Sequence, residues 1–463
     1  MIKNKKIHFI GICGAGASAI AVMLKDEGNI VTGSDQEFYE PTASFLKKNG
    51  IAIQTPYKEE NIPKDADIIV IGRHSKLDKK ENEEVKEALK TPEKIKSFPE
   101  ILRELTEGRE NIVVAGSSGK STCAALLAWC LKESGRDIGY FFGAVPTGWT
   151  ENAKMGTDKI FVLEGDEYPD YKNKPKFLYF HPASVLMTSI EHDHVNIFPT
   201  LESYIQPFRE FVEKIPARGL LVLNSKIKEV NAKAVTYGLD KDTPWHAENI
   251  KYGKTTSFDL YKNSKKIIDF STTLLGKHNI ENIVGVSALI LEKNLITPLQ
   301  LQKAVATFKG LKRRLDLKTD KSSVLIYEGF GSSYSKAKTA IEAMKLHFPD
   351  KKLIIIFEPH TFSWRNRDNL RWYDDIFAAA DEVLIFAPPE HGKDTHNQAG
   401  ADEIVARVKK TEKNVQNIGS KEETLKILEK ITQPDDMILL LTSGDLGGLI
   451  ETLPAWAEQR FPK

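Results

Sequence analysis

The residues best equipped for chemistry lie at Gly116-Ser117-Ser118-Gly119-Lys120-Ser121-Thr122, directly behind the apolar run Ile112-Val113-Val114-Ala115. A strand, a glycine-rich turn and Lys-Ser-Thr at the head of an apolar helix (Ala124 to Leu131) is the order of a phosphate-binding loop. Glycines let backbone N–H groups curl around phosphate oxygens, the helix N-terminus adds its positive dipole end, and Lys120 supplies a point charge. A hydroxyl at Ser121 or Thr122 can hold Mg²⁺ on the β/γ-phosphates. The spacing is shorter than a standard Walker loop, because only Ser117 and Ser118 separate Gly116 from Gly119-Lys120. The competing reading is a Gly/Ser turn with an incidental lysine.

Two more clusters sit where strands should end. Phe161-Val162-Leu163 runs into Glu164-Gly165-Asp166-Glu167, and Val185-Leu186-Met187 into Thr188-Ser189-Ile190-Glu191-His192-Asp193-His194. Ligands collect at the carboxyl ends of strands in parallel α/β sheets. Acids and imidazoles there, beside a phosphate loop, suit Mg²⁺ bridging phosphates; the cation prefers oxygen, which favours Glu164 over His194. Either cluster alone would read as a solvated loop.

Upstream, Lys6 to Ile10 predicts a buried strand, and Gly11-Ile12-Cys13-Gly14-Ala15-Gly16 opens a helix from Ala17 to Leu24. The glycines are spaced GxxGxG, an imperfect dinucleotide fingerprint, and Asp35 lies about 20 residues on, where a ribose-binding acid often sits. A strand-to-helix turn without ligand is the alternative. Downstream, His278, Asn279 and Asn282 precede an apolar helix and can read an adenine edge, although Asn near a helix start is usually a cap. Arg313-Arg314 can grip a γ-phosphate across a cleft or simply be a solvated charge run.

The elements that position these groups follow from the alternation of short apolar runs with helical stretches, a doubly wound α/β pattern. Length gives about three domains: a Rossmann-like domain at 1–108, a central P-loop ATPase-type parallel sheet at 109–310 and a second Rossmann-like domain at 311–463. Lys+Arg 65 against Asp+Glu 64 argues against nucleic acid as the main partner. Cys13, Cys123 and Cys130 form no CxxC pair, which suits a reducing cytoplasm; the last two, on one predicted helix, should pack in a core. Glycines interrupt the first apolar run, and no stretch approaches the ~20 apolar residues that span a bilayer, so a cytoplasmic enzyme without a membrane partner is expected.

Taken in order, these motifs resemble the Mur ligase family, the ATP-dependent amide-forming enzymes of peptidoglycan metabolism. The resemblance covers essentially the whole chain, through Gly33-Ser34-Asp35, the short phosphate loop, Glu164 to Glu167, Ile190 to His194, Gly276 to Asn282, Arg313-Arg314 and Glu358-Pro359-His360-Thr361. The opening unit looks like that of ligases acting on UDP-N-acetylmuramate. One such ligase adds L-alanine, another reattaches recycled L-Ala-γ-D-Glu-meso-diaminopimelate. Glu167-Tyr168, Lys174-Pro175-Lys176-Phe177 with His181-Pro182, Asp193 to Thr200, and Ile71-Gly72-Arg73-His74 look more like the second.

The resemblance implies an acyl-phosphate reaction and a set of roles. Gly116, Ser117, Ser118, Gly119, Lys120, Ser121 and Thr122 would hold ATP, with Ser121, Glu164 and His194 on Mg²⁺. His278, Asn279 and Asn282 would face the adenine, Glu328 would stand in for a nucleotide-contacting acid, and Arg314 would stabilise the transferring phosphate. Gly11, Gly14, Ser34, Asp35 and His74 would seat the UDP-sugar. The chain departs from the family at Glu328 to Tyr334, at Ser189 in place of a metal-side Asn and at Ser118 in place of His. These departures bear on nucleotide affinity and amine preference, and they make a non-catalytic nucleotide- or UDP-sugar-binding protein the rival reading.

Overall fold

The computed structural model describes residues 2–39, 42–72, 77, 80–194, 197–387, 397–411 and 414–463. His74 therefore lies outside the described residues, as do Arg73, Val195 and Asn196. The chain divides into two compact units, Met1–Glu248 with Asp259–Phe270 and Glu281–Phe308, and Asn249–Phe258 with Ser271–Ile280 and Lys309–Lys463. The first two expected domains thus fall largely in one unit.

Within the first unit, β1 (Lys6–Ile10), β2 (Ile30–Ser34), β3 (Ile53–Gln54), β4 (Ile68–Ile71) and β5 (Ile95–Lys96) form a sheet in the order β3-β2-β1-β4-β5. All four pairings are parallel. Strand order reverses beside β1, so Gly11 and Gly72, which follow β1 and β4, lie at the topological switch point where such sheets bind ligands. The run Ile-His-Phe-Ile of β1 is wholly buried, as expected for a parallel strand covered on both faces.

The second sheet contains β6 (Glu110–Ala115), β7 (Gly139–Phe141), β8 (Ala153–Lys154), β9 (Ile160–Gly165), β10 (Ser184–Met187), β11 (Leu220–Asn224), β12 (Val235–Tyr237), β13 (Trp245–Lys251), β14 (Thr256–Lys262) and β15 (Lys265–Thr272). Their order is β15-β14-β13-β12-β11-β10-β6-β9-β7-β8. Central β6 pairs in parallel with β10 on one side and β9 on the other. Its carboxyl end feeds the phosphate loop, flanked by Thr188 after β10 and Asp166 after β9. The helix that follows, Lys120–Glu133, is apolar nearly all round and buried between layers. Cys123 and Cys130 are fully buried in it, where burial pushes both thiols far above their ordinary pKa.

The second unit holds β16 (Arg314–Leu317), β17 (Leu325–Phe330), β18 (Leu353–Phe357), β19 (Glu382–Phe386), β20 (Val415–Ile418) and β21 (Met437–Thr442), in the order β16-β17-β21-β18-β19-β20. Only β16 runs antiparallel, at the edge against β17. The parallel sheets expected from the apolar runs are all present. β7, β8, β11, β12, β16, β20 and the strands from Trp245 to Thr272 were not expected; for β15 the reason is that Lys-Lys-Ile-Ile-Asp-Phe-Ser-Thr is half polar and mostly not buried, whereas β11 is a buried apolar run. No helix among the described residues is long and apolar enough to cross a membrane.

Candidate functional site

The phosphate loop is built from two strand ends. Gly116 has φ +141 and Gly119 φ +83, conformations that L side chains rarely adopt. A Cβ on Gly116 would collide with Thr188 Oγ1 and Ser189 N, and one on Gly119 would come within 2.8 Å of Asn282 Oδ1. The loop is braced from β10: Thr188 Oγ1 donates to the Ser118 carbonyl at 2.5 Å, and Ser118 N–H donates to Ser189 Oγ at 2.8 Å. Ser117 Oγ lies 2.9 Å from Ser189 Oγ and accepts the Glu191 N–H at 2.8 Å. Ser189, the departure from the family pattern, thus fixes the loop's shape. Ser121 and Thr122 follow in the first turn of the helix beginning at Lys120.

Lys120 is turned back toward acid. Its ammonium donates to Glu167 Oε2 at 2.6 Å and to the Gly116 carbonyl at 2.6 Å. Burial alone would lower its pKa, but the charges of Glu167, Asp166 and Glu164 raise it. Glu167 is 1 % exposed. Burial and the neighbouring Asp166 charge push its carboxyl up, against the pull of Lys120. Its other oxygen accepts from Tyr204 Oη at 3.2 Å and lies 3.7 Å from His194 Nε2. In the sequence Glu167 stands in an acidic run with nothing to mark its role. Its depth behind the loop could not be read from one dimension.

Ser121 and Glu164 are brought together: Ser121 Oγ donates to Glu164 Oε1 at 2.8 Å, and the Gly143 N–H holds Glu164 Oε2 at 2.6 Å. A hydroxyl and a carboxylate oxygen side by side at the mouth of a phosphate loop match the hard-oxygen preference of Mg²⁺. His194 joins a different neighbourhood, against Glu167 and edge-on to Tyr168 with ring centroids 5.0 Å apart. Among the described residues no three His, Cys, Asp or Glu side chains converge as a metal cluster.

A cavity of about 440 Å³ links the two sheets of the first unit. Gly11, Gly14, Asp35, Tyr57 and Gly72 line it from the first sheet, Gly143, Glu164, Asp166, Tyr168 and Lys176 from the second. Lys176 donates to Asp166 Oδ2 at 2.6 Å. Burial would raise Asp166, yet the Lys176 and Lys120 charges hold it below its ordinary value. Gly11 has φ +86 and Gly14 caps the helix Ala15–Asp26 with an extended backbone. Asp35 accepts the Cys13 N–H at 2.8 Å, so it holds the glycine turn. Ser34 is the expected substrate residue that does not reach the cavity: it is fully buried and donates to Glu84 at 2.6 Å. Tyr57 and Gly143 were missed, since neither stands in a recognisable motif.

The remaining expected residues occupy the second unit, except Asn282, which faces Gly119 in the first. The Asn279 amide donates to the Leu275 carbonyl at 2.7 Å. His278 lies against Gly276, its pKa pulled down to about 4 by burial and by His347. Arg314 is exposed at the start of β16, whereas Arg313 donates to Glu328 at 2.8 Å. Lys318 approaches the other Glu328 oxygen at 3.2 Å, so Glu328 is a buried acid with both oxygens in ion pairs.

Residues 6–110 match the model for the catalytic domain of the Mur ligase family, and residues 114–290 match the Mur ligase middle domain. A UDP-N-acetylmuramate–L-alanine ligase of Desulfitobacterium hafniense is 30% identical over 450 residues, covering 95% of this chain and 97% of its own. The chain belongs to the Mur ligase family. It is accordingly an ATP-dependent ligase that forms an amide bond. The alanine ligase of a Psychrobacter species is 28% identical, over 98% of this chain and 96% of that one. Among solved structures, the UDP-N-acetylmuramate–alanine ligase of Thermotoga maritima superposes with a TM-score of 0.79 at 23% identity, covering 98% and 99% of the two chains. A murein peptide ligase from Psychrobacter arcticus gives 0.67 at 23% identity, covering 99% and 100%.

Proposed function

We propose that this Mur ligase joins the lactyl carboxylate of UDP-N-acetylmuramate to the amine of L-Ala-γ-D-Glu-meso-diaminopimelate, with cleavage of ATP to ADP and phosphate. One observation carries the reading: a single cavity runs from the glycine turn at Gly11 to Glu164 beside the phosphate loop. A sugar nucleotide seated on Gly11, Gly14 and the Asp35-held turn has its carboxylate end directed toward bound ATP. The carboxylate attacks the γ-phosphorus, ADP leaves, the amine attacks the acyl carbon, and phosphate and a proton depart. Alignment and charge neutralisation carry most of such a transfer.

Lys120 would exchange Glu167 for phosphate oxygens, with the loop N–H groups beside it. Ser121 and Glu164 would hold Mg²⁺, which neutralises phosphate charge, while His194 orients near Glu167. Arg314 would meet the transferring phosphate, and His278, Asn279 and Asn282 the adenine. A cytoplasmic location is part of the same proposal, because ATP and the sugar nucleotide are drawn from that compartment.

The tripeptide is favoured by the stretches around Tyr168 and Lys176, which stand on the cavity wall. L-alanine is the second reading, supported by the names of relatives matched at 28% and 30% identity. Phosphate release with Mg-ATP and UDP-N-acetylmuramate separates them. Turnover with tripeptide and not alanine is expected; turnover with alanine alone assigns the biosynthetic step. Silence with both, from a protein that binds nucleotide, makes it a non-catalytic family member.

A further inference from the structure

Tyr57 is a polar group on the cavity wall that none of these roles uses. Tyr57 Oη donates to Asp35 Oδ1 at 2.8 Å. The same carboxylate accepts the N–H groups of Cys13 and Gln36, each at 2.8 Å. A phenol has one proton, and Tyr57 commits it to Asp35. What remains on Tyr57 is an oxygen that can only accept. Burial, then the hydrogen bond to Asp35, push the phenol far above its ordinary pKa and keep that proton in place. Tyr57 lines the cavity together with Gly11, whose lack of a Cβ leaves the approach to the hydroxyl unfilled: a Cβ there would stand in van der Waals contact with it, at 3.8 Å.

The loop that presents Tyr57 is tied to a buried acid. Glu84, fully buried, accepts the Lys58 N–H at 3.1 Å and Asn61 Nδ2 at 3.0 Å on one oxygen. Its other oxygen takes Ser34 Oγ at 2.6 Å and His8 Nε2 at 2.8 Å. A fully satisfied buried network of this kind rigidifies what it holds. It fixes the residue next to Tyr57 relative to β1 and β2.

We infer that Tyr57 is a specificity-determining acceptor for the sugar nucleotide, receiving a hydrogen bond from a nucleoside N–H or O–H, with Glu84 as its positioning residue. The inference rests on the UDP-sugar reading and deepens it. The donor is the uracil imide N–H or a ribose hydroxyl; Asp35 acts through Tyr57 and the glycine turn.

The test is calorimetric binding of UDP-N-acetylmuramate to the whole protein without ATP or amine, using wild type and Tyr57→Phe. The 3-methyluridine and 2′-deoxyuridine forms of the ligand are measured alongside. Loss of one hydrogen bond to a substrate donor should weaken Tyr57→Phe binding about tenfold. KM for the sugar nucleotide should rise equally with kcat unchanged, the mark of uniform binding lost. One analogue should bind wild type as weakly as Tyr57→Phe binds the parent, and Tyr57→Phe should no longer discriminate against it; which one identifies the donor. Parent binding equal in folded Tyr57→Phe and wild type overturns the inference, as does unchanged discrimination against both analogues. If Tyr57→Phe does not fold, 3,5-difluorotyrosine at position 57 weakens the acceptor without deleting it, and the same analogue discrimination should shrink. A wild type giving no heat with UDP-N-acetylmuramate overturns the functional reading, and the inference with it.

Discussion

Lys120 and Glu167 show how a single side-chain pair joins stability to function. The pair is buried, with side chains 12% and 1% exposed, and removing one partner leaves the other as an uncompensated charge. Lys120→Ala should therefore lower stability by about 3 kcal/mol at neutral pH and kcat/KM by about 10³-fold, the scale of a lost charge-stabilising group. The folded-state pKa of Glu167 is raised, so its contribution is fully present below its unfolded pKa and is lost as pH rises through the folded value. Without Lys120 that loss deepens, so the variant's deficit should shrink as pH falls and Glu167 takes up its proton, which its raised pKa puts above the ordinary carboxyl range. Denaturant melts of both proteins between neutral and acid pH check this; a deficit constant with pH contradicts it. The adjacent arginines should separate cleanly. Arg313→Ala deprives buried Glu328 of one of two cations and should cost about 1–2 kcal/mol of stability, measured by the same melts. Arg314→Ala should leave the melt within about 0.5 kcal/mol.

At the scale of elements, the phosphate loop works because β10 shapes it and two glycines let it turn. Gly119→Ala places a methyl against Asn282 in a left-handed backbone, which should lower stability by about 1–2 kcal/mol and weaken ATP binding. Calorimetry with ATP would expose an unchanged affinity, which would mean that the loop reshapes freely. The helix Lys277–Glu292 makes a separate pH prediction. His278 titrates near 4 in the fold and near 6.5 unfolded. The folded state resists protonation, so stability is complete above about pH 6.5 and falls by about 2 kcal/mol on going to pH 5. His278→Asn should flatten that part of the pH profile, read by denaturant midpoints. These elements differ in how visible they are in sequence. Parallel strands announce themselves, since burial on both faces demands continuous apolar runs such as Ile112 to Ala115 and Leu353 to Phe357, and the ligand-side loops follow directly behind. Half-buried edge strands such as β15 and β16 lack that signal. Helix starts are hidden as well, because Lys120 and Lys277 are polar. For the site, the glycine turns were legible from local spacing, and Ser121 and Glu164 because each follows an apolar strand run at the ligand-side end of a parallel sheet. Glu167 behind Lys120, Ser34 on Glu84 and Tyr57 on Asp35 depend on contacts 47, 50 and 22 residues apart, which no local pattern encodes.

Across the whole molecule the proposed machinery is divided. The phosphate loop, Glu164 and the sugar-nucleotide cavity belong to the first unit, and Arg314, His278 and Asn279 to the second. If Arg314 stabilises the transferring phosphate, its loss should act on the chemical step and not on nucleotide binding. Arg314→Ala should lower kcat about 10³-fold, the scale of an arginine supplied to a phosphoryl transition state, while the KM for ATP changes little. An unchanged kcat in the folded variant would transfer the phosphate-stabilising role to another cation, and a raised KM with kcat unchanged would make Arg314 a ground-state contact to the nucleotide.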